Sequence, residues 1–505
     1  MRLLNSVGLV GAGFVAMAAG CHLIVGIRDD ELYEPDAGVN PPECTPDQVQ
    51  DCAVSSSSTG GGGQGGGTGG AGGVMCDPDT GIGCGVHVWS RIFGDTSFED
   101  AFAIASDAQG NVYVAGSFYG TIQLGGMPLI SAGSDDVFLA KFDPAGNHVW
   151  SQRFGDASGG LYIYDLAVDS DGNAAITGPF PGGVDFGDGF IQGDHDMFVA
   201  KFDTNGDLLW AGGYGDLSWS QSGSGVAIDG SGNVVVLGSF LGTLGPLTAT
   251  GDGGTDIFLI KFSSLEGDIL WAKRFGDAGD QTARAIAIDS SDSIVMVGGK
   301  TSGALNFGGS NLDGNIFLAR FDANGNHNWS TGFNSSISGS ASDVAVDSFG
   351  NAVLAGSFKG TVDIGGKVLT STDGFSMYLV KYNWNIGVLW SEQYGSLDFL
   401  QFPSVAVDAV DEIVLAGTMS EAVDFGGGAL PFGGLDDVFL AKFNPEGAHR
   451  WSRSFGDENY QKNASVAATG SDVLLICSAQ GTIDFGGGPL TSAGASDVAV
   501  AKFTH

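Results

Sequence analysis

A basic residue recurs at one position of a repeated apolar pattern: Lys141, Lys201, Lys261, Arg320, Lys381, Lys442 and Lys502, seven of the chain's 20 lysines and arginines. A cation set among apolar residues needs a partner, because burying an unpaired charge is costly. Two repeated carboxylates offer themselves. One is the Asp that ends the preceding apolar segment in six repeats (Asp107, Asp169, Asp229, Asp289, Asp347, Asp408). The other follows Phe-Gly or a related dipeptide (Asp95, Asp156, Asp216, Asp277, Asp457). Either pairing gives a structural salt bridge rather than a reactive site.

Other reactive types are sparse. His87, His148, His327 and His449 share one repeat position, so they fall in different repeats and cannot cluster. No His-Glu-x-x-His, Gly-x-Ser-x-Gly or Ser/His/Asp pattern occurs. The triplet Asp194-His195-Asp196 is locally dense, but Asp196 is itself a repeat residue. The segments 169–173 and 203–207 alternate Asp with Gly and Asn, yet lack the downstream bidentate Glu of an EF-hand. They read as turns capped by their own side chains, with weak Ca²⁺ binding as the alternative. The residues thus indicate no catalytic set, no metal centre and no cofactor.

Cysteine usage points to export. Met1-Arg2 leads an apolar run, Leu3 to Ala19, too short for a membrane span and laid out like a signal peptide. It ends in Ala18-Ala19-Gly20-Cys21, which resembles a bacterial lipobox in which Cys21 is lipidated; the usual Leu is Ala18 here. His22 follows in place of the Asp of inner-membrane retention, so the resemblance implies an outer-membrane lipoprotein, with a periplasmic or secreted protein as the alternative. Cys44/Cys52 and Cys76/Cys84 form two C-x7-C pairs, expected as disulfides, with two local loops among three pairings. Cys477 stands alone in an apolar strand and is expected to be buried. Ser55 to Gly73 is nearly all Gly, Ser and Thr, a flexible linker. Three regions follow: 1–21 signal and lipidation site, 22–85 tether, and 86–505 folded domain.

The net charge is −38, from 58 acids against 20 bases, which disfavours nucleic acid and anionic lipid surfaces as partners. Membrane contact is expected through the lipid anchor alone, with the folded part a monomer. With 86 Gly and 33 Phe, the chain has too much apolar surface for disorder and suits an all-β fold with many turns.

Tryptophans at 89, 150, 210, 271, 329, 390 and 451 are spaced by 61, 60, 61, 58, 61 and 61 residues, room for four strands with loops. In one unit the A strand is Phe102 to Asp107, B is Val112 to Phe118, C is Val137 to Asp143 and D is Val149 to Phe154. Asp, Asn and Gly at the A–B and C–D turns favour tight hairpins. The C strand is apolar on both faces, which requires a sheet covered twice, as in stacked propeller blades. A and C strands recur seven times, but D follows C only six times. The missing D strand lies at the front, Val86 to Phe93, so the N-terminal segment should complete the last blade and cover its edge. The prediction is a seven-bladed β-propeller of four-stranded antiparallel blades over 86–505.

Ala-Ile-Ala-Ile-Asp-Ser (285–290), Gly-Asn-Val-Tyr-Val-Ala-Gly-Ser-Phe (110–118) and Trp-Ser-x-x-Phe-Gly-Asp (89–95, 150–156) resemble the SBBP propeller repeats of exported bacterial proteins. The resemblance spans 86–505 and implies the fold; it implies no activity, since that family has no common catalytic set.

Strand order puts the B–C and D–A connections on one face, where length and composition vary. The D–A loops carry non-repeated rings, Phe98, Tyr162, Trp219, Phe399, Phe402 and Tyr460, which suit protein or carbohydrate contacts, the alternative being packing between loops. A surface-exposed binding or scaffold propeller is the expectation. Its rivals are a lyase- or hydrolase-type propeller enzyme and a purely structural or assembly role. Titratable groups converging at the axis would favour the enzyme; there the A strands are expected to offer mostly small Ala, Val and Ile.

Overall fold

The computed structural model describes residues 85–505 except 134, 158–159, 194, 217–220, 250–253, 398–401 and 471. The signal, the tether and Cys21, Cys44, Cys52, Cys76 and Cys84 lie outside the described residues. Within them every regular element is a strand. Strand pairing is antiparallel, in five four-stranded sheets, one eight-stranded sheet and small two-stranded hairpins. The first complete unit runs Glu99–Ser106 (A), Val112–Phe118 (B), Asp136–Phe142 (C) and His148–Phe154 (D), paired in that order. The eight-stranded sheet is two such runs joined where Asn334 and Ser335 pair with Asp363 and Val362.

One local device makes the A–B and C–D hairpins. Asp107 accepts the amides of Gln109 and Asn111 on one oxygen, at 3.0 and 2.8 Å, and the Asn111 side chain on the other. Gly110 takes φ = 79°, which a side chain would resist. Asp143 does the same for the C–D turn. Asp169 and Asp203 cap their turns likewise, each accepting two turn amides on one oxygen.

In the first unit the B and C strands are buried along their whole length. Seven apolar clusters divide their side chains, each shared by two neighbouring units. Val137 and Leu139 face the second unit with Ile176 and Phe198, while Phe138, Ala140 and Phe142 face Leu474, Ile476 and Val500 of the last. The D-strand tryptophans staple neighbours together. Trp89, Trp150, Trp210, Trp271 and Trp390 donate their indole N–H to carbonyls of Pro144, Thr204, Ser264, Ala323 and Pro445, in the C–D turn of the next unit, at 3.0–3.3 Å.

The repeated cation pairs with the A-strand Asp of its own unit. Lys261–Asp229, Arg320–Asp289, Lys381–Asp347 and Lys442–Asp408 approach to 2.6–2.9 Å, and Lys141–Asp107 to 3.6 Å. Lys502 reaches Asp472 where the A strand ends in Thr469. Lys201 instead donates to the Gly232 carbonyl at 2.6 Å. Several of these ammoniums also reach the next unit's C–D turn, as Lys141 does to Thr204. Three members of the second carboxylate series have a different role. Asp95, Asp277 and Asp457 accept the amides of Thr121, Ala304 and Thr482, tying each D–A loop to the following B–C connection. The four repeated histidines are structural too: each imidazole meets a Ser hydroxyl three residues on, at 2.9–3.0 Å. Cys477 is buried, and burial pushes its thiol up to about 12.

At the chain's beginning, His87–Phe93 pairs antiparallel with Asp497–Phe503, giving the last unit its fourth strand. The junction to the first unit differs chemically from the others. Gln281 and Gln461 open their A strands by donating side-chain amides to Asp277 and Asp457. The first unit has Glu99 there, fully buried and close to Asp95 and Asp497. Desolvation and these acids push its carboxyl up to about 8, so it holds a proton where the glutamines present N–H. A folded-state value above the unfolded value of 4.5 means stability falls as pH rises between the two. Glu99→Gln is expected to leave melting unchanged near pH 4 and raise it increasingly toward pH 8–9. Thermal melts across that range check it; a melting gain that shrinks as pH rises would contradict it.

Candidate functional site

In four of the A strands one residue near the start is pushed out of register by a β-bulge. The extra residue is Phe102 in the first unit, Ser224 in the third, Arg284 in the fourth and Ser342 in the fifth. A bulge re-aims its side chain. Residues of the A segments together line one cavity of about 160 Å³, to which Tyr164, Asp165, Ser224, Arg284, Asp343 and Ser404 contribute polar groups. The expectation of mostly small aliphatic residues at this place is therefore corrected. Ala, Val and Ile are present, but titratable groups converge among them. Strict alternation along the A strand misplaces residues beyond each bulge.

The two carboxylates in the cavity are held firmly. Asp165 accepts the Leu166 amide and, across to the next unit, the Val226 amide, both at 2.8 Å. Asp343 accepts the Val344 and Val405 amides at 2.8 and 2.9 Å, and the Ser404 hydroxyl at 3.0 Å. Each therefore pins its A strand to its neighbour's. Burial outweighs these hydrogen bonds and pushes Asp165 up to about 7 and Asp343 to about 6.

Arg284 stands apart from both. Its guanidinium carbon lies 5.2 Å from the Phe402 ring centre. Among the described residues no hydrogen bond or ion pair engages it. Although partly exposed to the cavity, it is set so deep that desolvation lowers its pKa to about 10, with Tyr164 opposing.

At the opposite ends of the A strands a cavity of about 280 Å³ is lined by Asp107, Asp169 and Asp408 among small residues. Beside it Asp408, Glu412 and His505 form the kind of group that can hold a cation. The Lys442 ammonium already stands among them, 2.8 Å from Asp408 and 3.3 Å from Glu412.

The loop aromatics are split by the structure. Phe98 and Tyr460 occupy equivalent D–A positions, with backbone bridges to Ser496 and Asp436, and are 62% and 41% exposed. Their carbonyls also accept amides from Tyr119 and Gln480, so the backbone fixes two rings that face solvent. The Lys462 ammonium sits 4.0 Å from the Tyr460 ring centre. Tyr162 and Phe402 are half-buried, and burial raises the Tyr162 pKa. Trp219 and Phe399 lie outside the described residues. Sequence reasoning passed over Tyr119 and Phe190 in the B–C connections, both largely exposed. Those connections fold as short hairpins, such as Gly183–Asp185 with Phe190–Gln192, rather than as plain Gly-rich loops.

Residues 149–178 match the family model of the SBBP beta-propeller repeat. A WD repeat-containing protein of Acanthamoeba polyphaga mimivirus is 26% identical over 431 residues, 67% of this chain and 31% of the relative. The regulatory protein FlaEY of Caulobacter vibrioides is 28% identical over 213 residues, 39% of this chain and 21% of the relative. The chain thus spans less than a third of the length of either curated relative. Among solved structures, a quinohemoprotein alcohol dehydrogenase from Pseudomonas putida HK5 is similar over 83% of this chain and 76% of its own, at 10% identity and a TM-score of 0.42.

Proposed function

We propose that this beta-propeller-repeat chain is a binding or scaffold protein whose seven four-stranded units close into a ring and whose loop-rich face engages a protein or carbohydrate. Ring closure is supported by the pairing of His87–Phe93 with Asp497–Phe503 and by the apolar cluster shared between the last unit and the first. The working face rests on one observation: Phe98 and Tyr460 are exposed rings on backbone that strand bridges hold in place. Rigid aromatic anchors bind at low entropic cost. Export and lipidation at Cys21, with disulfides in the tether, would present that face from the bacterial cell envelope, as a monomer on a leash.

A propeller enzyme is the second reading, favoured by the convergence of Asp165 and Asp343 in one cavity. Against it, both carboxylates are already committed to backbone amides.

The test is capture on glycan and envelope-protein arrays by the full chain and by a Phe98→Ala/Tyr460→Ala variant. Retention by the wild type and at least a roughly tenfold loss in the variant is expected, as for anchor residues. Equal retention by both would place the binding surface elsewhere.

A further inference from the structure

Arg284 poses a physical problem that no part of the fold answers. The chain carries 58 acids, yet among the described residues none pairs with this deeply set guanidinium. The two acids that line the cavity do not pair with it: Asp165 and Asp343 turn their oxygens to the amides of Val226 and Val405. The contact with Phe402, 5.2 Å from the guanidinium carbon to the ring centre, offers a π system and no hydrogen-bond acceptor of the kind its five N–H donors need. Elsewhere this protein pairs its buried cations carefully, as at Lys381 and Lys442. The bulge at Arg284 is the device that turns it out of the strand and into the cavity. The repeat supplies Phe102, Tyr164, Ser224 and Ser342 at this position in other units, so the arginine is an addition to the scaffold rather than part of it.

We propose that Arg284 is the recognition residue of a carboxylate subsite in this cavity, taking the head group of a ligand. This rests on the binding reading above and adds the ligand's chemical class. A guanidinium presents paired donors that match a carboxylate's two oxygens, which a point charge such as lysine does not. The Tyr164 hydroxyl and Ser224 line the same cavity and supply further polar contact. A volume of about 160 Å³ admits a group about the size of benzene, so the subsite holds one end of a ligand.

Thermal shift and calorimetric titration of the full chain test this. The probes are benzoate against benzamide, galacturonate against galactose, and a short peptide with a free against an amidated C-terminus. These arms separate a small acid, an acidic sugar and a chain end as the source of the carboxylate. At least one acid is expected to raise the melting temperature while its neutral partner does not. Arg284→Met should weaken that binding roughly tenfold or more, and Arg284→Lys should weaken it although the charge is kept. Arg284→Met should also melt no lower than the wild type without ligand, because it removes a desolvated charge that no acid pairs. Protection by no acid, equal protection by the neutral partners, or unchanged binding in both variants would overturn the subsite. The array experiment reports separately: retention there through Phe98 and Tyr460, with no acid binding, overturns the subsite and leaves the binding reading standing.

Discussion

Deleting residues 86–93 is expected to convert a soluble chain into one that aggregates and melts far below the wild type. The strand contributes more than an edge. Trp89 is buried and donates to the Pro144 carbonyl, and Phe93 stacks on Phe142 at 5.4 Å between ring centres. Both belong to the apolar cluster that contains residues of the last unit and of the first. Losing a buried Trp or Phe costs about 3–5 kcal/mol each, and a whole domain is stable by about 5–15 kcal/mol. The deletion also exposes the backbone of Asp497–Phe503 as an unpaired edge, a template for intermolecular pairing. Trp89→Ala alone should show the smaller effect without the open edge. Size-exclusion chromatography and thermal melts distinguish them. A monomeric deletion variant with unchanged melting would contradict the closure argument.

The second large effect is expected at Lys442. Its ammonium is fully buried among Asp408, Glu412 and His505, and Arg450 holds Glu412 from the other side. Lys442→Met keeps the length of the side chain and removes the charge, leaving two buried carboxylates beside each other. Breaking one partner of a buried ionic group costs on the order of 3–5 kcal/mol. Denaturant melts of the variant should show a loss of that order, and Asp408→Asn in the same background should recover part of it. No loss in Lys442→Met would mean the cluster is hydrated and loosely held. The contrast with Arg284 is direct, since the same Met substitution should harm the fold at Lys442 and spare it at Arg284.

Much of this was legible from residue types because the repeat states each rule several times. Val112–Phe118 reads as a strand from its β-branched and aromatic residues between Asn111 and a Gly-rich stretch, and it is one. Alternation along a regular C strand puts Lys141 on the face of Val137 and Leu139, and that face is the one toward the second unit. The fourth strand at the front follows from counting, and the pairing of His87–Phe93 bears it out.

What alternation could not give was the A strand. It begins at Glu99 rather than Phe102, and the bulge between Ala101 and Ala103 reverses parity midway. Alternation along the A strands therefore does not bring Arg284, Asp165 and Asp343 together. The signal that could have found them was departure from the repeat, a charge where other units have Ala, Gly, Ser or an aromatic ring. The B–C hairpins were hidden for a different reason. Their turns depend on glycines at positive φ, such as Gly125 at 104°, in stretches whose composition reads equally well as open loop. Of the four loop rings among the described residues, Phe98 and Tyr460 stand out to solvent, while Phe402 meets an arginine that no local pattern connects to it.

Hydrogen exchange of the full chain, with and without the glycan or protein retained on the arrays, tests the central claim most directly. The account predicts slowed exchange in the loop-rich face, at 95–99, 119–131 and 457–461, with the turns at 108–111 and 444–448 unchanged. Slowing confined to those turns, or no slowing anywhere, would contradict it.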